Sequence, residues 1–136
     1  MSAKLNRIFF DTYLKVDKLA AQKFGIEKGG VTAYINRLIN SRFAPDREQT
    51  LSRLTRYRDT RNIMAHEGGA LENFTEITKE DVRWLQNFES DLSRRKDPIS
   101  RYLRKAKSYV FRRRLTALIV LLAIAAAAVA GIYFFT

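Results

Sequence analysis

One histidine occurs in the 136 residues, His66, and it closes the string Arg58-Asp59-Thr60-Arg61-Asn62-Ile63-Met64-Ala65-His66. Imidazole has an unperturbed pKa of about 6.5, so it takes and gives protons near neutral pH. Arg61, five positions earlier, carries a planar guanidinium that grips phosphate oxygens in bidentate fashion. Asn62 adds an amide that both donates and accepts. A proton carrier, an anion-binding fork and a polar orienting group suit acid–base chemistry at a phosphate. Arg61, Asn62 and His66 are therefore the candidate catalytic residues. A lone histidine and the absence of cysteine exclude thiolate zinc sites and histidine-cluster metal sites. No metal or cofactor is expected. The same residues also have a purely structural reading. A histidine near a helix C-terminus caps the negative end of the dipole. Arg61 then pairs with Asp59 or Glu67, and Asn62 bonds locally.

The elements that must position these residues are helical. Residues 5–24 place Leu5, Ile8, Phe9 and Leu19 at mostly three- and four-residue spacings, and Gly25 stops that helix. After Gly29-Gly30, the residues Val31, Tyr34, Ile35, Leu38 and Ile39 form an apolar stripe on a second helix. Pro45 separates it from a third, over 46–67, with Leu51, Leu54 and the cluster Ile63-Met64-Ala65. Gly68-Gly69 ends that one. Thr78 with Asp81 reads as a capping box opening a fourth helix, with Val82, Leu85, Phe88 and Leu92 inward and Trp84 in the core. Asp97-Pro98 is an N-cap followed by proline at the first helical position. A fifth helix starts there and runs on toward the C-terminus. Residues 73–77 are the one extended piece, and a single strand makes no sheet. The predicted class is all-α: a small antiparallel four- to five-helix bundle over 1–96, a basic juxtamembrane helix over 97–114, and a transmembrane helix over 115–135. The third helix carries the candidate site. Five residues turn about 500°, so Arg61 and His66 diverge by roughly 140° and rise about 7.5 Å. One helix does not aim both at one phosphate.

The full string Arg61-Asn62-Ile63-Met64-Ala65-His66 resembles the R-N-x-x-A-H motif of the HEPN superfamily (higher eukaryotes and prokaryotes nucleotide-binding). The resemblance covers residues 1–96 in architecture and six residues in motif. It implies a small all-α bundle and, as in many members, a metal-independent ribonuclease of toxin–antitoxin or phage-defence systems. It also implies a composite site shared by two copies, which answers the divergence of Arg61 and His66. In such a site RNA is cut by its own 2′-hydroxyl. His66 moves protons, Arg61 stabilises the phosphorane and Asn62 positions it. Arg53, Arg56 and Arg58 are candidates for guiding the RNA backbone, Arg58 lying three residues from Arg61 on about the same face. An antitoxin-like or regulatory protein is the expected partner.

Charge is distributed in blocks. Net charge is +11, but residues 1–93 hold 15 basic and 13 acidic side chains, while residues 94–114 hold 10 basic ones and Asp97 alone. Residues 115–136 carry none. The apolar run 115–135 has Thr116 as its one clearly polar residue. As a helix it reaches about 31 Å, the thickness of a hydrocarbon core. Aromatic Tyr133, Phe134 and Phe135 suit the far interface. Cations flanking a span stay on the cytoplasmic side, so a tail-anchored, single-pass chain with a cytoplasmic N-terminal domain is predicted. Arg101, Arg104, Lys105, Lys107, Arg112, Arg113 and Arg114 are the candidate membrane-surface residues, facing anionic lipid. Ile99, Tyr102, Leu103, Ala106 and Val110 form an apolar stripe among them. Ala123, Ala127 and Gly131 are spaced to permit close helix pairing.

Two functions follow. The first is a membrane-tethered ribonuclease cutting single-stranded RNA within a homodimer. The second is a non-catalytic adaptor held on the cytoplasmic face, with its basic segment on lipid. Bulk charge supports neither, because residues 1–93 carry a net charge of only +2.

Overall fold

A computed structural model describes residues 2–136. Among these residues there are six helices and no strand: α1 Ser2–Phe24, α2 Gly30–Asn40, α3 Arg47–His66, α4 Ala70–Asn73, α5 Lys79–Ser93 and α6 Pro98–Phe135. The chain divides into two compact units, one through Tyr102 and one from Leu103 onward.

In the first unit α1 is the helix the others gather on, packing against α5, α2 and α4. Its sequence explains this role. Phe9, Thr12, Tyr13, Val16 and Ala20 recur at helical spacing and are all buried. Aromatic rings link the layers. Phe24 of α1 meets Tyr34 of α2, which meets Phe88 of α5; Trp84 stacks on Phe88 and abuts Tyr57 of α3, which meets Phe9 of α1. Contacts of this kind, at centroid separations of 5.2–6.0 Å, add to area burial. The circuit closes through four helices.

Helix ends are set by specific groups. Asp17 of α1 accepts from the Val31 N–H at 2.9 Å, capping α2 from a neighbouring helix. At the other end of α2, the Arg47 guanidinium donates to the carbonyls of Leu38 and Ile39. The Thr78–Asp81 capping box forms as expected, each side chain accepting from the other's backbone. Asp97 does more than cap α6. Its side chain is fully buried, accepts from the Tyr34 hydroxyl at 2.6 Å, and accepts from the Ser100 hydroxyl and N–H. Lys23 lies 3.9 Å from it. This cluster ties the first turn of α6 into the bundle, with Ile99 in the core.

Several details differ from the sequence expectation. Ile39 and Ala65 lie outside the core, because each falls beyond the edge of its helix's buried stripe. The four-residue α4 has no periodicity to reveal it; it is held by Asn6, whose amide donates to the Leu71 and Phe74 carbonyls. The bundle extends past residue 96 to Tyr102.

The second unit is the rest of α6. Its apolar stretch has a mean hydropathy of 2.7 over 18 residues with nothing buried, and it is long and apolar enough to cross a membrane.

Candidate functional site

Arg61, Asn62 and His66 all lie on the last turns of α3. The Arg61 guanidinium sits over two rings of α1, 5.9 Å from the centre of Phe10 and 6.0 Å from that of Tyr13. Its Nε is buried, and Nη1 donates to the Asn62 side-chain oxygen at 3.3 Å. The arginine is thus held by stem burial and ring contact, with its fork turned along α3 toward Asn62. His66 is the final residue of α3 and is exposed. Helix α3 is unbroken between them, so within one copy the two functional groups point apart. Asp59 pairs with Arg58 at 3.7 Å.

Tyr13 shapes this corner electrostatically as well. Burial, joined by the nearby Asp17 carboxylate, pushes its hydroxyl well above the ordinary tyrosine range, while Arg61 and Arg58 act in the opposite direction. It is a neutral phenol at any working pH. Phe10 and Tyr13 are the site residues that sequence reading missed. Their signal was two aromatic residues three apart on the first helix, which reads equally well as ordinary core.

The three upstream arginines have different surroundings. Arg53 donates to the Tyr57 hydroxyl at 3.1 Å and to Glu80 at 3.2 Å, and lies over the Trp84 ring. Arg56 pairs with Asp81 and covers the Tyr57 ring. The Asp81 carboxylate also accepts from the Tyr57 hydroxyl at 2.8 Å. Burial alone would raise the Asp81 pKa; hydrogen bonds from Thr78, Tyr57 and Arg56 outweigh it, and the net shift is downward. Burial and the Asp81 bond raise the Tyr57 hydroxyl. Arg53 and Arg56 therefore fasten α3 to α5, and Arg58, the nearest of the three to Arg61 in sequence, is partly buried. The groove beside α3, lined by Glu48, Asp59, Glu76 and Arg56 among others, carries more acid than base and does not suit a polyanion.

The basic segment also divides. Arg101 belongs to the bundle, where it donates to Asp46 at 2.9 Å with its Nε buried. Arg104, Lys105, Lys107, Arg112, Arg113 and Arg114 are exposed on α6. Among the described residues no group of acidic or histidine side chains is placed to hold a metal ion.

The corner containing His66 and the point where α6 leaves the bundle are at opposite ends of α3. His66 ends the helix, whereas Asp46, just before its first residue, holds Arg101. Twenty residues of helix separate them, about 30 Å.

Among known protein families, a model described as a family of unknown function (DUF6548) matches residues 7–118. No curated protein and no solved structure matches the chain.

Proposed function

Since the chain belongs to this family of unknown function over most of its length, its chemistry has to come from its own residues, and we propose a membrane-tethered, HEPN-like, metal-independent endoribonuclease working as a homodimer on single-stranded RNA. The observation that carries this reading is the corner at the end of α3: a guanidinium held in place by Phe10 and Tyr13, beside Asn62, with the one imidazole exposed a turn further on. His66 takes the proton from a 2′-hydroxyl, whose oxygen attacks the adjacent phosphorus. The Arg61 fork binds the non-bridging oxygens of the phosphorane. The 5′-oxygen leaves with a proton from the imidazole of the second copy, giving a 2′,3′-cyclic phosphate and a 5′-hydroxyl end. The cationic face of α6 lies on anionic lipid on the cytoplasmic side, and an antitoxin-like or defence-trigger protein restrains the activity.

The test compares full-length wild type, His66→Ala and Arg61→Ala, each checked for native helicity. Loss of a general acid–base should slow RNA cleavage about 10²–10⁴-fold. His66→Ala cleaving RNA at the wild-type rate, or remaining equally toxic on overexpression, refutes the proposal.

A non-catalytic adaptor is the second reading. It is favoured by the engagement of Arg53 and Arg56 with Asp81 and Glu80, which removes two cations from any RNA track. A partner captured equally by wild type and His66→Ala, with no RNA present, supports it.

A further inference from the structure

Arg112, Arg113 and Arg114 stand immediately before the apolar run, and from Leu103 to Thr136 the chain holds no acidic side chain to pair with them. Charge of this sign sets topology wherever it falls around the helix. The arrangement around α6 is more particular. Successive residues turn by about 100°, so Arg113 and Arg114 flank a strip that carries Val110 and Ala117, each about 50° from its centre line. Arg112 falls about 150° away from the same line. Tyr109, Val110, Arg113, Arg114 and Ala117 line a hollow of about 320 Å³ on this face. The strip continues into the apolar run through Leu121 and Ile124, both exposed.

Depth along the helix identifies what fills the hollow. Helical side chains lean toward the N-terminus, which brings the forks of Arg113 and Arg114 over the preceding turn, level with Tyr109 and Val110. One turn is about 5.4 Å. The headgroup layer on each side of the hydrocarbon core is some 5–7 Å thick. With 115–135 in the hydrocarbon, the two guanidiniums therefore stand at the depth of lipid phosphate. Guanidinium binds phosphate oxygens in bidentate fashion, and here two forks face one another across a gap with an apolar floor. Tyr109, 69 % exposed, adds an aromatic ring with a polar tip at the interface. A zwitterionic headgroup brings its own ammonium beside the phosphate, and two adjacent guanidiniums repel it. A lipid of net negative charge carries no such penalty.

We infer that this face of α6 is a binding site for one anionic glycerophospholipid. Its phosphate lies between Arg113 and Arg114, its headgroup against Tyr109, and an acyl chain over Ala117, Leu121 and Ile124. This rests on the membrane-anchor part of the proposed function and not on its ribonuclease part. It goes beyond a general attraction of cations to an anionic surface because it separates the cations by face: Arg113 and Arg114 hold the lipid, and Arg112 does not.

The test reconstitutes full-length protein in phosphatidylcholine vesicles containing a trace of spin-labelled phosphatidylglycerol or, in parallel, spin-labelled phosphatidylcholine. The spectrum gives the fraction of label immobilised by the protein. Two double variants remove the same charge from different faces: Arg113→Gln with Arg114→Gln at the hollow, and Lys105→Gln with Arg112→Gln away from it. The expected result is that wild type and the second variant immobilise phosphatidylglycerol several-fold more than phosphatidylcholine, while the first variant treats the two alike. Ala117→Phe, which changes no charge, should also lower the phosphatidylglycerol fraction by filling the hollow. Equal losses in the two double variants overturn the inference, because that is how a diffuse surface charge behaves. So does a preference for phosphatidylglycerol that survives Arg113→Gln with Arg114→Gln. Failure of wild type to float with the vesicles refutes the anchor reading itself, and is recognised because neither labelled lipid is then immobilised.

Discussion

Asp81 is the residue on which two helices depend. It closes the capping box of α5, receives the Tyr57 hydroxyl and pairs with Arg56, all while 4 % exposed. These bonds hold its folded-state pKa below the value of about 3.9 expected in the unfolded chain. The sign of the linkage follows. Its contribution to stability is fully present above the unfolded value and is lost as pH falls through the folded one. Denaturant unfolding of the full chain in micelles should show stability declining below about pH 4. An Asp81→Asn variant should be less stable at neutral pH and should lose that part of the acid dependence. Arg61 teaches a second lesson at this scale. Sequence reading named it for its charge, and the structure adds that Phe10 and Tyr13 hold it in place.

Between elements, α2 comes close to α1 at Gly30. A Cβ at Gly30 would stand 2.0 Å from the Asp17 carbonyl oxygen and 2.4 Å from the Ala21 nitrogen, both rigid backbone atoms. Gly30→Ala must push the helices apart and loosen the Asp17 cap on Val31. Overpacking of this kind costs about 1–3 kcal/mol, occasionally more, and thermal unfolding would read it as a lowered midpoint. The helices themselves were legible because their signals are local. The stripe of α2, the capping box of α5 and the Asp97-Pro98 start of α6 each occupy a few consecutive residues. What was illegible depends on partners distant in sequence. Asp97 looked like an ordinary cap, and only the meeting of α2 with α6 reveals the Tyr34 hydroxyl on it. Arg101 looked like part of the cationic segment until Asp46, 55 residues earlier, claimed it. The candidate site shows the same limit. Its motif lies in one string, whereas the rings beneath Arg61 belong to another helix.

For the molecule as a whole, the division of charge matters more than its total. Residues 1–93 are close to neutral, and six exposed cations precede an apolar helix long enough to cross a membrane. If those cations set orientation, replacing Arg104, Lys105, Lys107, Arg112, Arg113 and Arg114 with glutamine should yield mixed topologies, read by a reporter fused at the C-terminus. Wild type should give one orientation, with the reporter on the side opposite the bundle; an unchanged single orientation in the variant counts against the charge rule here. The single tryptophan offers a different kind of consequence. Trp84 lies stacked on Phe88, edge to Tyr57 and beneath Arg53, so its indole occupies the seam where α3 and α5 meet. Its ultraviolet emission is therefore a built-in optical gauge of that seam. A shift toward the red would signal the separation of α3 from α5 without any dye or tag.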